Sequence, residues 1–141
     1  MIYLDNPATS MRKPKQVCDA MYHNTVNYSV NAGRGSHGAS LAGVKGIIDA
    51  QEELALLFNI PSPERIAFTQ NATYALNMAI CGMLKNGDHA VITSMEHNSV
   101  LRSSVETEKY GVTVKIAKAD SLGFVDKSKI EALITSKTRL I

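Results

Sequence analysis

Residues 89–117, HAVITSMEHNSVLRSSVETEKYGVTVKIA, decide the fold class of this chain. His89–Thr93 and Val112–Ala117 are short apolar runs rich in β-branched residues, which predicts two buried strands. Between them, the pattern predicts a helix that starts at Asn98 or Ser99 and reaches about Tyr110. A strand, a helix and a second strand in this order are typical of parallel strands joined by a right-handed crossover.

The sequence on either side of this stretch continues the alternation. Upstream, Arg65–Thr69 is predicted to be a further buried strand, and Asn71 to cap a helix that runs to about Lys85. Downstream, we expect a short helix at Asp126–Ile134 and the start of a fourth strand at Thr138–Ile141. The whole pattern predicts an α/β fold with a mostly parallel sheet and helices on both faces.

The region before residue 65 has a different rhythm. Pro14 can open a first helix, and a convincing amphipathic helix is predicted from about Leu41 to Phe58, where Pro61 and Pro63 follow. Between these two helices, Asn24–Ser40 is rich in Asn, Gly and Ser. We expect this segment to be an ordered loop, since glycines permit unusual backbone angles.

Composition narrows the class of protein. The chain has 141 residues, with 15 basic and 13 acidic residues and a net charge of +2, which gives no argument for binding nucleic acid or a membrane surface. Cys18 and Cys81 lie in apolar stretches, so buried structural thiols and a cytoplasmic location are expected. The longest apolar stretch, Ala75–Leu84, is too short to span a bilayer. The histidines have no metal-ligand spacing, and we expect no metal site.

Ligands of open α/β sheets bind beyond the carboxyl ends of the strands. One such end is Thr69–Thr73, where helix-start N–H groups at Ala72 and Thr73 and the Thr73 hydroxyl could hold an anion. The next is Ser94–Asn98, which contains His97. If the two strands are neighbours, His97 lies beside that anion, and a planar ligand with a phosphate suits the arrangement. Simple capping of the two helices explains the same residues.

A glycine-rich run, Gly33–Gly38, matches the dinucleotide-binding pattern G-x-G-x-x-G. The preceding Asn27–Ala32 is a poor strand, and no strand ending in an acidic residue follows at the expected distance. Arg34 and His37 in this loop are better interpreted as contributors to an anionic site. A tight loop with exposed polar groups is an equally good interpretation of the spacing.

Four motifs together resemble a known family. They occur in chain order as YLDNPAT at residues 3–9, NAGRGSH at 31–37, FTQNATYALN at 68–77 and EHNSV at 96–100. These resemble the Y-L-D-N-A-A-T, N-x-x-R-G-x-H, F-T-x-x-A/T-T-E-A-x-N and E-H-N-S-V motifs of cysteine desulfurases and selenocysteine lyase relatives. That family belongs to the class V aminotransferases, which are fold type I enzymes that use pyridoxal 5′-phosphate.

The resemblance implies roles for particular residues. Ala72 and Thr73 would bind the cofactor phosphate. His97 would stack on the cofactor ring and, as the catalytic residue of this chain, would assist proton transfer. The remaining motif residues would lie near the substrate or at the active-site entrance of a dimer: Ala8, Arg34 and His37.

The resemblance also implies a partial type I fold. Residues 1–20 would form an N-terminal segment near the small domain and the active-site entrance, and residues 21–141 the first part of the cofactor-binding large domain. Because the chain stops inside a predicted strand, we expect an N-terminal fragment of a longer protein. Two residues depart from the family motifs: Pro7 removes a backbone donor near the substrate position, and Tyr74 replaces a glutamate.

The implied activity is removal of sulfur or selenium from cysteine or selenocysteine, which leaves alanine. The family's lysine, in an S-x-H-K type segment, and its sulfur-accepting cysteine would lie beyond residue 141, so the fragment alone is expected to be inactive. Implied partners are a cysteine-like amino acid, a second copy in a homodimer and a sulfur-acceptor protein. The alternatives are transamination or epimerisation by the same family, a nucleotide-binding α/β module using the Gly33–Gly38 loop, and a non-catalytic remnant.

Overall fold

A computed structural model describes residues 2–141 as two compact units that divide after Ala67. The first unit contains helices α1, Lys15–Asn27, and α2, Gly38–Leu57, followed by a short 3-10 helix at Pro63–Arg65. The second unit contains three helices and three strands. In chain order these are α3 (Ala72–Met83), β1 (His89–Thr93), α4 (Asn98–Glu108), β2 (Thr113–Ala117), α5 (Lys127–Glu131) and β3 (Thr138–Leu140).

The strands of the second unit form one parallel sheet in the order β2-β1-β3. On one side of β1, Val91 pairs with Lys115 of β2, and on the other side His89 pairs with Thr138 of β3. The predicted α/β fold with parallel pairing is therefore confirmed, and the strands predicted around residues 89–93, 112–117 and 138–141 form close to their expected limits.

The central strand β1 is covered on both faces. Its neighbouring residues Ala90 and Val91 are 0% and 1% exposed, and successive side chains of a strand point to opposite faces. Helices α3 and α4 pack against each other, and α4 also contacts β2 while α3 contacts β3. The apolar core consists of Ile80, Leu84, Ala90 and Val112, surrounded by Leu76, Val100, Val114 and Leu140.

Tight turns connect these elements. Gly111 follows α4 with a φ of +83°, and a Cβ at this position would collide with the Asn86 side chain. Asp126 caps α5, because its Oδ1 accepts hydrogen bonds from the Ser128 hydroxyl and N–H at 2.8 Å each. Both hydrogen bonds lower the pKa of the Asp126 carboxyl, and the bond from the Ser128 hydroxyl has the larger effect.

The predicted strand at Arg65–Thr69 is wrong. Its first residue ends the 3-10 helix, and Ile66–Thr69 has no regular secondary structure. Within residues 2–141, the sheet contains only β1, β2 and β3, so this segment has no strand beside it with which to pair. An apolar run can form a strand only where a neighbour takes its backbone N–H and C=O groups. The condition under which His97 was expected beside an anion, that this strand neighbours His89–Thr93, is not met for the same reason.

Two expectations for the first half of the chain also need correction. The segment Asn24–Ser40 is not one loop, since α1 continues to Asn27 and α2 begins at Gly38. The cysteines are not buried: Cys18 and Cys81 are both free and exposed. An apolar stretch of sequence therefore does not by itself bury its residues, and α1 has no buried residue at all.

The first unit buries few side chains. Helix α1 has no buried residue, and α2 buries only Ser40 and Ala55. A side-chain hydrogen bond from Gln51 Nε2 to the Ile66 carbonyl oxygen, at 2.6 Å, ties α2 to the segment that follows it. No helix within residues 2–141 is long and apolar enough to cross a membrane.

Candidate active site

The turn before α3 presents free backbone donors. Asn71 is the N-cap, and its Oδ1 accepts the N–H of Tyr74 at 2.9 Å, while its carbonyl accepts the N–H of Ala75 at 3.1 Å. Ala72 and Thr73 lie between, as the first two residues of the helix, where N–H groups have no intrahelical acceptor. The first turn of α3 contains no acidic residue. The positive end of the helix dipole is therefore uncompensated there and favours an anion.

The turn before α4 is organised by His97, which is the N-cap of a helix that begins at Asn98 as predicted. His97 Nδ1 accepts the N–H of Ser99 at 3.2 Å and lies 2.8 Å from Ser99 Oγ. Because an amide can only donate, Nδ1 acts as an acceptor, and the hydrogen of the neutral ring is on Nε2. The helix start thus fixes the orientation of an exposed imidazole and leaves Nε2 free for another group.

Glu96 comes directly before His97 but is engaged elsewhere. Its Oε1 accepts a hydrogen bond from Thr93 Oγ1 at 2.7 Å. Glu96 is half-buried and belongs to the wall of a separate, largely apolar cavity of about 270 Å³ beside β1. Its carboxylate therefore does not line the space in front of His97.

A cleft between the beginnings of α3 and α4 brings the predicted cofactor residues together. The α3–α4 cleft has a volume of about 270 Å³ and is lined by Thr73, Asn77, His97, Asn98, Ser99 and Arg102. Thr73 and His97 share this cleft although the strand predicted before α3 does not form, because packing of α3 on α4 aligns the two helix starts. Ala72 precedes Thr73 at the first position of α3.

Four residues of this cleft were not predicted to belong to a site: Asn77, Asn98, Ser99 and Arg102. Spacing contained a partial signal, because Thr73 and Asn77 are four residues apart on one helix, and residues at this spacing share a helix face. The pairing of that face with the corresponding face of α4 depends on tertiary packing, which spacing does not reveal.

The donors of this cleft fit a phosphate. They comprise helix-start N–H groups, the Thr73 hydroxyl and the Arg102 guanidinium, and no carboxylate is among the residues that line the cleft. Such donor sets hold phosphate groups at helix N-termini in other proteins. The adjacent, exposed His97 ring offers a flat surface for a planar group attached to that phosphate.

The remaining predicted site residues belong to the first unit. His37 caps α2 through Nδ1, which accepts the N–H of Ser40 at 3.3 Å, and the Ser40 hydroxyl donates to the Asn31 carbonyl oxygen at 2.7 Å. Arg34 is exposed in the loop just before. Ala8 is exposed in a turn closed by its own N–H, which donates to the Asp5 carbonyl oxygen at 3.1 Å.

The glycine-rich loop lacks the context of a dinucleotide-binding motif. Within the described residues, the element before Gly33–Gly38 is helix α1, whereas the motif requires a strand there. Gly35 instead allows close packing, since a Cβ at this position would lie 2.7 Å from the Ser40 side chain and 3.0 Å from His37 Nε2.

Comparison with known proteins connects this chain to one family. The chain is 33% identical to a probable cysteine desulfurase of Methanothermobacter thermautotrophicus, over 99% of this chain and 35% of that protein. It is 34% identical to a probable cysteine desulfurase of Synechocystis, over 100% of this chain and 34% of the relative. The chain thus spans about a third of the length of these curated relatives.

A solved structure gives the same result. The apo structure of a cysteine desulfurase from Thermococcus onnurineus superimposes with a TM-score of 0.81 at 32% sequence identity, over 94% of this chain and 34% of that one. The family model for class-V aminotransferases matches residues 2–141. The resemblance of the four sequence motifs is therefore confirmed, and the chain belongs to the class-V aminotransferase family.

Proposed function

We propose that this chain forms part of a pyridoxal 5′-phosphate enzyme that removes sulfur or selenium from cysteine or selenocysteine and leaves alanine. The observation that carries the proposal is the α3–α4 cleft, in which Thr73 and His97 lie on facing helix starts. The cysteine desulfurases similar to this chain over 99–100% of its length support the choice of reaction.

In this proposal the chain holds and orients the cofactor. The N–H groups of Ala72 and Thr73 and the Thr73 hydroxyl bind the phosphate, and the imidazole of His97 packs on the ring. When bound, pyridoxal phosphate withdraws electrons from the substrate carbon. Nδ1 of His97 accepts a hydrogen bond from the N–H of Ser99, so Nε2 is the atom at which His97 holds or passes a proton.

The residues proposed to contact the substrate belong to the first unit. Ala8, Arg34 and His37 are proposed to lie near a cysteine-like substrate or at the entrance to the site. The Arg34 guanidinium is exposed and suited to a carboxylate. Residues 1–20 are proposed to lie near a small domain, and residues 21–141 to begin the cofactor-binding large domain.

We further propose a homodimer, a sulfur-acceptor protein as partner and a cytoplasmic location. Exposed apolar side chains on α1 and α2 support pairing of two copies, because such surfaces are stabilised when they leave water. They include Val17, Met21, Val26, Ile47, Ile48 and Leu57.

The test uses the longest open reading frame that contains these 141 residues. We expect that protein to bind pyridoxal phosphate with a visible absorbance band and to release alanine and sulfide from cysteine. Formation of a keto acid instead would favour transamination, and racemised substrate would favour epimerisation. Binding of a dinucleotide without any response to pyridoxal phosphate would refute the proposal and favour the nucleotide-binding alternative.

A variant at His97 tests its assigned role. We expect His97→Ala to weaken the cofactor absorbance band and to lower turnover by at least about a hundredfold, the usual contribution of a positioned acid–base group. His23→Ala is the matched control, because His23 is exposed on α1 and is not among the residues of the cleft. Unchanged spectra and rates in His97→Ala would remove this residue from the site.

A further inference from the structure

The α3–α4 cleft has a single charged side chain on its wall, that of Arg102. Asn98 and Arg102 are four residues apart on α4, as are Thr73 and Asn77 on α3, and residues at this spacing lie on one helix face. Asn77 and Arg102 thus lie one turn beyond Thr73 and Asn98 on their helices, and long helical side chains point back toward the helix start.

The charge of Arg102 is not neutralised within residues 2–141. None of the four ion pairs there includes it. Glu106, one turn further along α4, is engaged by Lys109, whose Nζ lies 2.7 Å from its Oε2. Glu96, before the helix, is bound to Thr93.

Arg102 lies just beyond the first turn of α4, where the helix dipole contributes little to the energy of its charge. It lies in the first half of α4, an 11-residue helix with no acidic residue in its first turn. The start of the same helix keeps the uncompensated positive end of its dipole. An anion in the cleft would interact with the guanidinium and the helix start together.

We propose that Arg102 recognises the phosphate in the α3–α4 cleft and makes the cleft selective for a phosphorylated ligand over its unphosphorylated form. The inference rests on the proposed function, since the phosphate in question is that of pyridoxal phosphate. The planar guanidinium matches two phosphate oxygens at once, which the ammonium of a lysine does not. Arg102 acts as a specificity-determining residue, while the Thr73 hydroxyl and helix-start N–H groups fix the position of the phosphate.

The experiment compares three ligands on the open-reading-frame protein and its variants. Pyridoxal phosphate, pyridoxal and inorganic phosphate are titrated by calorimetry into the parent, Arg102→Gln, Arg102→Lys and Arg139→Gln. Arg139 is the matched control, because it is exposed on β3 and is not among the residues of the cleft. Circular dichroism of each variant establishes that it is folded.

We expect Arg102→Gln to weaken the binding of pyridoxal phosphate and of inorganic phosphate by about tenfold to a hundredfold. This is the change in affinity that corresponds to loss of a charge-assisted hydrogen bond. Pyridoxal binding should change less than about twofold, since pyridoxal has no phosphate for the guanidinium to contact. Arg102→Lys should recover part of the affinity and more of it at low salt, because a charge without the planar fork remains. Arg139→Gln should match the parent for all three ligands.

The outcomes separate this inference from the proposed function. Parent-like affinity for pyridoxal phosphate in Arg102→Gln, or an equal loss for pyridoxal, would overturn the role of Arg102 and leave the cofactor assignment intact. If inorganic phosphate binds in an Arg102-dependent way but pyridoxal phosphate binds no more tightly, Arg102 recognises phosphate as proposed. The assignment of pyridoxal phosphate as the cofactor would then be refuted. Failure of the parent to bind either phosphate would overturn both.

Discussion

Each of the two compact units of this chain is stabilised in a different way. The second unit, Phe68–Ile141, encloses an apolar core between a parallel sheet and two packed helices. The first unit keeps most apolar side chains of its helices exposed, and its buried Ser40 side chain makes a polar contact with the Asn31 carbonyl oxygen. The amphipathic sequence of α2 therefore does not by itself produce a buried face, because burial requires a second apolar surface against it.

This difference has a consequence for the site. The α3–α4 cleft lies entirely in the unit with a core, so Thr73 and His97 are supported by packed helices. Arg34 and His37 lie in the unit without one, where a cap and a few hydrogen bonds fix the backbone. We expect truncation of buried side chains to lower the free energy of unfolding most in the second unit. In the first unit, substitutions that disturb the backbone should have the larger effect on it.

The largest expected effect is the loss of a core side chain from the second unit. Ile80 is 5% exposed and packs with Leu84, Ala90 and Val112. We expect Ile80→Ala to lower the free energy of unfolding by about 2–5 kcal/mol, through lost burial and a residual cavity. The measurement is urea unfolding followed by circular dichroism.

Leu56→Ala on α2 is the matched control for Ile80→Ala. Leu56 is 80% exposed, so its truncation should change the free energy of unfolding by less than about 0.5 kcal/mol. Equal losses in the two variants would mean that Leu56 is buried in the folded protein, and the contrast between the units would not hold.

The elements that sequence predicted well are those with local causes. Alternation of short β-branched runs with helical periodicity located β1, α4 and β2, and turn residues such as Asn71 defined a helix start. Each of these signals arises from the backbone preferences and burial of nearby residues, so a single sequence contains them.

The elements that sequence predicted poorly depend on distant partners. Ile66–Thr69 has strand composition but no neighbouring strand within residues 2–141, and Cys81 lies in an apolar stretch yet is exposed. The site shows the same division. The motifs contain Thr73, His97 and also Asn77, whereas Arg102 lies outside them and joins the cleft through the packing of α3 on α4.

A second prediction concerns the turn that connects α4 to β2. Gly111 has a φ of +83°, and a Cβ there would collide with the Asn86 side chain. We expect Gly111→Ala to cost about 2–3 kcal/mol, from backbone strain of about 1–2 kcal/mol together with about 1 kcal/mol for turning the exposed Asn86 side chain aside. Urea unfolding measures this loss.

Gly87→Ala separates strain from collision in that experiment. Gly87 has a similar φ of +86°, but a Cβ there meets no atom within 4 Å. It should therefore show the strain alone, about 1–2 kcal/mol. Equal losses in the two variants would imply that Asn86 moves aside freely and that the turn is less tightly packed than it is in the structure.

The smallest expected effect tests whether backbone fit orders the first unit. A Cβ on Gly35 would lie 2.7 Å from the Ser40 side chain, which is fully buried and bonded to the Asn31 carbonyl oxygen. We expect Gly35→Ala to cost about 1–3 kcal/mol, the range for overpacking, and to increase hydrogen exchange at the Ser40 amide. Gly38→Ala, at the first position of α2 with nothing within 4 Å of its Cβ, should be neutral or slightly stabilising. If Gly35→Ala behaves like Gly38→Ala, the loop before α2 can yield without loss. Arg34 and His37 would then be held less firmly than the hydrogen bonds around Ser40 indicate.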